Sequence, residues 1–337
     1  MASVQDRKTS LFLEAAPGAR NTVSGQAYPV GGNGSWRPRT QDKEANEQWR
    51  DAQAPLSDSV SSVTVGHEGK YSHVMRTHGD EIWWAYTLGG HIGSPAEMNP
   101  PTVPRTWVKQ YRSSPRGPEG TLTVVQDEPV VSSAGFTNYQ SVYTGTRVRS
   151  WSVDMLEGQP VISKVDLVSP LKTSTGGSPL SDADYVDSGF YHFADLTVRL
   201  GDVGDSGFVA DELTLLRFQQ DNRLNTKRIF IDGIQNMADP QQGEPNRGTL
   251  TMEFNHSAFV ETYLIDRRLA GTRIWVEAEL SQPPLSATFR WSNLFIRNAY
   301  GDAKVGDLGI VTASCDMRMS TDDALVLSYV TTGNTNP

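Results

Sequence analysis

GTRVRSWSVDMLEGQPVISKVDLVS, Gly145 to Ser169, is the stretch that decides the fold class. In its first run Trp151, Val153 and Met155 alternate with Ser152 and Asp154. A period of two sends successive side chains to opposite faces of a strand, so one face meets a core and the other meets water. Val161 to Ser169 alternates in the same way. Glu157-Gly158-Gln159-Pro160 between the runs has turn chemistry, and Gly145 punctuates the entry. The stretch therefore predicts two strands joined by a short turn.

Outward from it, similar runs recur. TLTVVQ (121–126) lies before it. FADLTVRLGD (193–202), DELTLLRFQQDN (211–222) and RIFIDG (228–233) lie after it. They are followed by RIWVEAEL (273–280), TFRWSNLFIRNA (288–299), GIVTASCDMRM (309–319) and ALVLSYV (324–330). Many short strands with turn signals argue an all-β sandwich or barrel.

Two stretches change period. In TLTMEFNHSAFVETYL (249–264) an alternating strand gives way to Phe259/Tyr263 and Val260/Leu264, each pair four apart. That is helical spacing, with Asn255 or Ser257 placed to cap the helix. In SVTVGHEGKYSHVMRTHG (62–79), Val63 and Val65 point inward from a strand, and Tyr71, Val74, Met75 and His78 suggest a short helix. EIWWAYTLGG (81–90) either extends that helix or begins a strand.

The expected fold is thus dominated by β structure, with one short helix in each half. The two strand–helix units overlay: Val63–Val65 falls on Leu250–Met252, and His67 on Phe254. Tyr71, Val74 and Met75 then fall on Phe259, Tyr263 and Leu264. This predicts a tandem duplication. Its parts are an N-terminal segment and extended arm (1–57), a first β domain (58–170), a Ser/Gly/Pro/Asp-rich linker (171–189) and a second β domain (190–337). Within the first segment, Tyr28–Val30 is a strand candidate and 31–57 a long exposed arm. The Pro/Arg-rich 100–120 is expected to be a connector or an edge.

Composition sets further limits. At about 150 residues per domain, 337 residues allow two. With 30 basic and 39 acidic residues the net charge is −9, a poor balance for gripping phosphate. The single cysteine, Cys315, forms no disulfide within the chain and sits with Val311, Ala313, Met317 and Met319 on the apolar face of a strand, as a buried thiol. No run approaches the ~20 apolar residues of a membrane helix, and the N-terminus does not look like a signal peptide.

Chemistry is thinly represented. GGNGSW (31–36) and GGHIG (89–93) lack the lysine and the setting of phosphate-binding loops and are expected to be turns. His73 and His78 are five apart, and His67, His91, His192 and His256 are scattered, which gives no metal set. DADYVD (182–187) lacks the glycine and glutamate of a calcium loop. Trp84, Trp151, Trp275 and Trp291 fall in apolar patterns and are expected in core or interface. No catalytic, cofactor-binding or metal-binding residue is expected, and the protein is not expected to be an enzyme. Asp154, Asp166 and Glu277 are expected to point away from the core.

GTRVRSWSVDMLEGQPVISKVDLVS resembles the central hairpin of the tail tube (major tail) proteins of long-tailed bacteriophages. DELTLLRFQQDNRLNTKRIFIDG, followed by a polar turn and GTLTMEFNHSAFVETYL, is similar to that family's order of strand, strand, then strand and helix. The resemblance covers about 55–170 and 190–330 and lies in the order of elements. It implies a structural virion protein that assembles into stacked rings, six tube domains to a ring, forming a hollow tube through which DNA is ejected. With two domains per chain, the ring would be a homotrimer with pseudo-sixfold symmetry in a non-contractile tail. Implied partners are other copies of the chain and the tape measure, tail terminator and baseplate or tail-tip proteins, with DNA only in passage and no membrane insertion. The implied location is the virion, after assembly in the host cytoplasm. Residues 31–57 and 100–120 would be arms reaching the next ring, and an acidic lumen wall would repel phosphate. The alternative is a non-enzymatic β-sandwich that binds carbohydrate or decorates a capsid; a glycosidase on a β scaffold would need a carboxylate pair that nothing in the sequence singles out.

Overall fold

A computed structural model describes residues 8–16, 19–20, 34–44, 60–77, 79–88, 94–98, 105–113, 120–132, 135–176, 189–226, 241–242, 247–255, 258–302, 309–317 and 324–331. The first half contains β1 (Lys8–Ala16), β2 (Ala19–Arg20), β3 (Ser35–Glu44), β4 (Val60–Val74) and helix α1 (Glu81–Leu88). It continues with β5 (Ala96–Glu97), β6 (Trp107–Arg112), β7 (Leu122–Ser132), β8 (Gly135–Leu156), β9 (Ile162–Ser169) and β10 (Leu171–Gly176). The second half contains β11 (Leu196–Asp202), β12 (Phe208–Val209), β13 (Leu213–Asp221), β14 (Leu224–Asn225), β15 (Gln241–Gln242) and β16 (Arg247–Asn255). Helix α2 (Ala258–Ala270), β17 (Arg273–Gln282), β18 (Leu285–Asp302), β19 (Ile310–Met317) and β20 (Leu325–Thr331) complete it. The fold is all-β dominated, as the alternation predicts.

Strands β3, β4, β9, β8, β13, β16 and β19 are hydrogen-bonded neighbours in that order, all antiparallel. Strand β18 carries the sheet round a corner. Its C-terminal part pairs with β19, while its N-terminal part runs between β17 and β20. Register shifts at Ile296/Asn298 and Ile274/Val276 mark bulges, which bend a strand and sharpen its twist. From there β17 pairs with β11, and β20 with β6. The two layers face each other across a core of rings. Trp151 of β8 stacks on Phe289 of β18 at 6.2 Å, and Phe218 of β13 meets Trp291 at 5.4 Å.

Helix α1 fills this core. The Trp84 ring lies 4.6 Å from Tyr329 and within 6.3 Å of Tyr111 and Phe289. A buried polar link fixes its C-terminal end: Gln220 Nε2 donates to the Thr87 carbonyl and to Asn222 Oδ1, and Asn222 Nδ2 donates to the Val148 carbonyl. A helix end has carbonyls without intrahelical partners, and this link satisfies one of them.

Strand β8 belongs to two sheets. Its first half lies between β7 and β10, with β1 beyond β7, in a four-stranded layer of its own. At Gly145, whose φ of 64° suits glycine, the chain turns and β8 enters the main sheet. A Cβ there would also meet the Pro170 ring at 3.0 Å.

Several expectations change. Tyr71 and Val74 are part of strand β4, and the helix comes later, at Glu81–Leu88. Buried Tyr71, His73 and Met75 show period two there, with Gly66 and Gly69 hiding it upstream. The N-terminal segment supplies strands β1 and β3 rather than only an arm. Trp107–Arg112 is an ordered strand of the sandwich, with Tyr111 fully buried, so the 100–120 segment is not a free arm across that span. The linker begins as β10, paired with β8. Strands from both halves interleave: β8 pairs with β13, and β6 with β20. One apolar cluster runs from Leu11 to Tyr329, so the expected boundary at 171–189 does not separate two cores. Tyr28–Val30, Arg228–Gly233, Asp182–Asp187, 45–57 and the glycine run 89–93 lie outside the described residues.

Candidate functional site

Because Trp151, Val153 and Met155 point into the core, Ser150, Ser152 and Asp154 point out. Antiparallel register then decides their neighbours. On β9, Asp166 lies opposite Ser150 and Lys164 opposite Ser152. On β13, Gln219 lies opposite Ser152 and Arg217 opposite Asp154. The same rows continue through Thr249 and Thr251 of β16 to Asp316 and Ser314 of β19. The outer face of the sheet from β4 to β19 is therefore polar, with many short hydroxyl side chains.

Its charges largely satisfy each other. Lys164 Nζ donates to Asp154 Oδ2 at 2.5 Å, and Arg217 Nε donates to Asp154 Oδ1 at 2.7 Å. Burial alone would raise the Asp154 carboxyl, but these two donors outweigh it and hold the group below the ordinary aspartate range. Ser150 Oγ donates to Asp166 Oδ2 at 3.1 Å. Further along, Arg297 pairs with Asp316 at 2.6 Å. Ser150, Ser152, Asp154, Lys164, Asp166, Arg217 and Gln219 line a depression of about 370 Å³.

Asp154 and Asp166 thus lie on one face, as alternation predicts, and Glu277 lies on the other layer, 3.9 Å from Arg290. The sequence reading missed the cations. Lys164 and Arg217 occupy the same outward positions and were visible by the same alternation, but their pairing with Asp154 depends on strand order. The face is a neutralised mixture rather than an acidic wall. Its central cations are occupied by carboxylates, which leaves little for a phosphate to displace.

The other candidates are structural. Cys315 is fully buried in β19, and burial pushes its thiol up to about 12, far from a reactive thiolate. Trp84, Trp151 and Trp291 are core, while Trp275 is half-buried and donates Nε1–H to the Asp205 carbonyl. His73 Nε2 bonds Asp80 Oδ1 at 3.0 Å, both side chains are buried, and Asp80 Oδ2 accepts from the Arg76 amide at 2.7 Å. The pair has the look of a base and its orienting acid. Here it closes the turn between β4 and α1, and His73 Nδ1 has no partner among the described residues. His192 caps a single helical turn at Phe193–Asp195. His67 is part-buried, and burial together with the Lys172 charge lowers its pKa. His78, His91 and His256 lie outside the described residues. Among the described residues no group of three or more His, Cys, Asp or Glu could hold a metal ion. No described helix is long and apolar enough to cross a membrane.

No family model matches the chain, and no curated protein matches it.

Proposed function

We propose that this chain is a structural virion protein that assembles with its own copies into the stacked rings of a phage tail tube. The observation that carries the proposal is the broad polar sheet face from β4 to β19, whose central charges are already paired. Such a face suits the wall of an aqueous channel: it is wetted, and its occupied cations offer DNA few sites to stick. The order of elements that resembles tail tube proteins gives independent support.

Sheet edges give further support. Strand β3 pairs with β4 on one side, and among the described residues no strand pairs along its other side. Open edges are an aggregation hazard in a monomer and a joining surface in an assembly. One core spans both halves. Each chain therefore supplies one sandwich, and a ring of six sandwiches takes six chains rather than three. The tape measure, terminator and tail-tip proteins are the partners such a tube would meet, and the virion is its place.

Negative-stain electron microscopy of concentrated protein, with light scattering for mass, tests this. Hollow rods or rings with sixfold end views are the expected result. A monodisperse monomer over all concentrations, even with preformed tube ends as seeds, would sink it and favour a sandwich that binds a glycan or a capsid.

A further inference from the structure

The charge of the chain is polarised along its strand order. At the β3–β4 end, Arg37, Arg39 and Arg149 gather around the Glu68 carboxylate, with Lys70 on the same strand opposite Asp166, Arg147 two strands away and Lys172 beside His67. Arg37 Nη2 donates to Glu68 at 2.8 Å and Arg149 Nη1 at 3.3 Å. Burial alone would raise the Glu68 carboxyl, yet the hydrogen bond from Arg37 and the surrounding guanidinium charges hold it below the ordinary glutamate range. Beside them Leu171 is 40% exposed.

At the other end, the loop between β11 and β12 packs against α2. The Phe208 ring lies 5.1 Å from both Phe259 and Tyr263. Arg267 stacks on Tyr263 at 4.6 Å and grips Asp202 with two nitrogens, at 2.7 and 2.8 Å. This cluster keeps apolar surface in water: Phe259 is 62% exposed, Val203 61% and Val209 46%. Exposed Asp205, Asp211, Glu212 and Asp266 belong to these segments and their flanks, outnumbering exposed Arg199, which lies opposite Val209, and Arg268. Contiguous exposed apolar surface with a polar rim marks an interaction site.

We propose that this acid-flanked aromatic surface of α2 and the Asp202–Val209 loop docks on the basic β3–β4 end of a second copy of the chain. The inference rests on the self-assembly proposed above and names the surfaces that carry it. Charge complementarity selects the occupant, because the chain itself carries the matching basic surface at the β3–β4 end of its strand order. A contact between unlike ends is heterologous, so it repeats and closes a ring if the rotation allows.

Charge reversal tests the pairing. The acid-reversed set is Asp205→Lys, Asp211→Lys and Asp266→Lys; the base-reversed set is Arg37→Glu, Lys70→Glu and Lys172→Glu. Light scattering and sedimentation follow assembly, and thermal melts check folding. Each set alone should assemble at least about tenfold more weakly than the parent, since like charges then meet at the contact. An equimolar mixture of the two sets should assemble again, because unlike ends are restored between them. If a reversed set fails to melt cooperatively, Asp205→Asn, Asp211→Asn and Asp266→Asn replace it, and weaker assembly is again expected. Parent-like assembly by each set alone, or folded sets that stay apart when mixed, overturns the inference while self-assembly stands. A parent that never assembles overturns the proposed function itself.

Discussion

The two helices follow similar strands and end in opposite places. Helix α1 sends Trp83, Trp84 and Leu88 into full burial and lies between the two layers. Helix α2 buries only Val260 and Leu264 and lies against β18, with Leu269 78% exposed. The first is a piece of core that happens to be helical. The second is an amphipathic surface helix, with Glu261 in its first turn and Arg267 and Arg268 in its last, as the helix dipole favours. A helix joined to a sheet can thus be filling or fitting, and the burial of its side chains decides which.

The largest effect should come from the filling helix. Trp84→Ala should cost about 3–5 kcal/mol, because it removes a ring that no neighbour can replace. A thermal melt of the variant should shift by roughly ten degrees or lose cooperativity; a melt like the parent's would show that α1 is not core. Next is the link that holds α1 in place. Asn222→Leu removes the acceptor of Gln220 and the donor to the Val148 carbonyl. It should cost about 1–3 kcal/mol in urea titration, since buried polar groups lose their partners. No change would mean that the link does not locate the helix.

A smaller effect concerns the fitting helix. The Arg267 guanidinium holds the Asp202 carboxyl below its ordinary range, with Tyr263 assisting against burial. A lowered folded pKa contributes stability that is full above about pH 4, the unfolded value, and is lost as pH falls through the folded pKa. Asp202→Asn should therefore cost about 1 kcal/mol near neutral pH, and the gap to the parent should close as pH falls through the folded value. A gap that stays constant with pH would remove the ion pair from the account. Burial, and the hydrogen bond to Asp202, push the Tyr263 hydroxyl upward, so that tyrosine stays protonated through any such titration. Smallest of all, Leu269→Ser should change monomer stability by no more than about 0.5 kcal/mol. A loss several times larger would show that the surface of α2 already has an intramolecular role.

The comparison also explains what the sequence revealed. Helix α2 was legible because Phe259/Tyr263 and Val260/Leu264 form a stripe. Helix α1 was not, because EIWWAYTL is apolar on nearly every side and periodicity has no contrast to detect. In β4 the buried positions include Gly69 and His73, which blur the period of two and let Tyr71, Val74 and Met75 pass for a helix. Strand β8 was plain from Trp151, Val153 and Met155, and so were the outward positions of Asp154 and Asp166. The partners of those carboxylates were not. Arg217 reaches Asp154 only because β13 lies beside β8, and local alternation carries no information about which strand comes alongside. For the same reason the pairing of β6 with β20 was hidden, and two halves that share a core read as two domains.

Strand β8 finally makes the molecule a mechanical element. Its 22 residues span roughly 70 Å, with Gly145 as the bend between its two sheets. Neighbours grip it on both sides along most of its course: β7 and β10 in one sheet, β9 and β13 in the other. A pull along that strand loads its ladders in shear, so many hydrogen bonds must yield together instead of opening one by one. Tension applied to the four-stranded layer would reach the sandwich along this one continuous strand, which bends at Gly145.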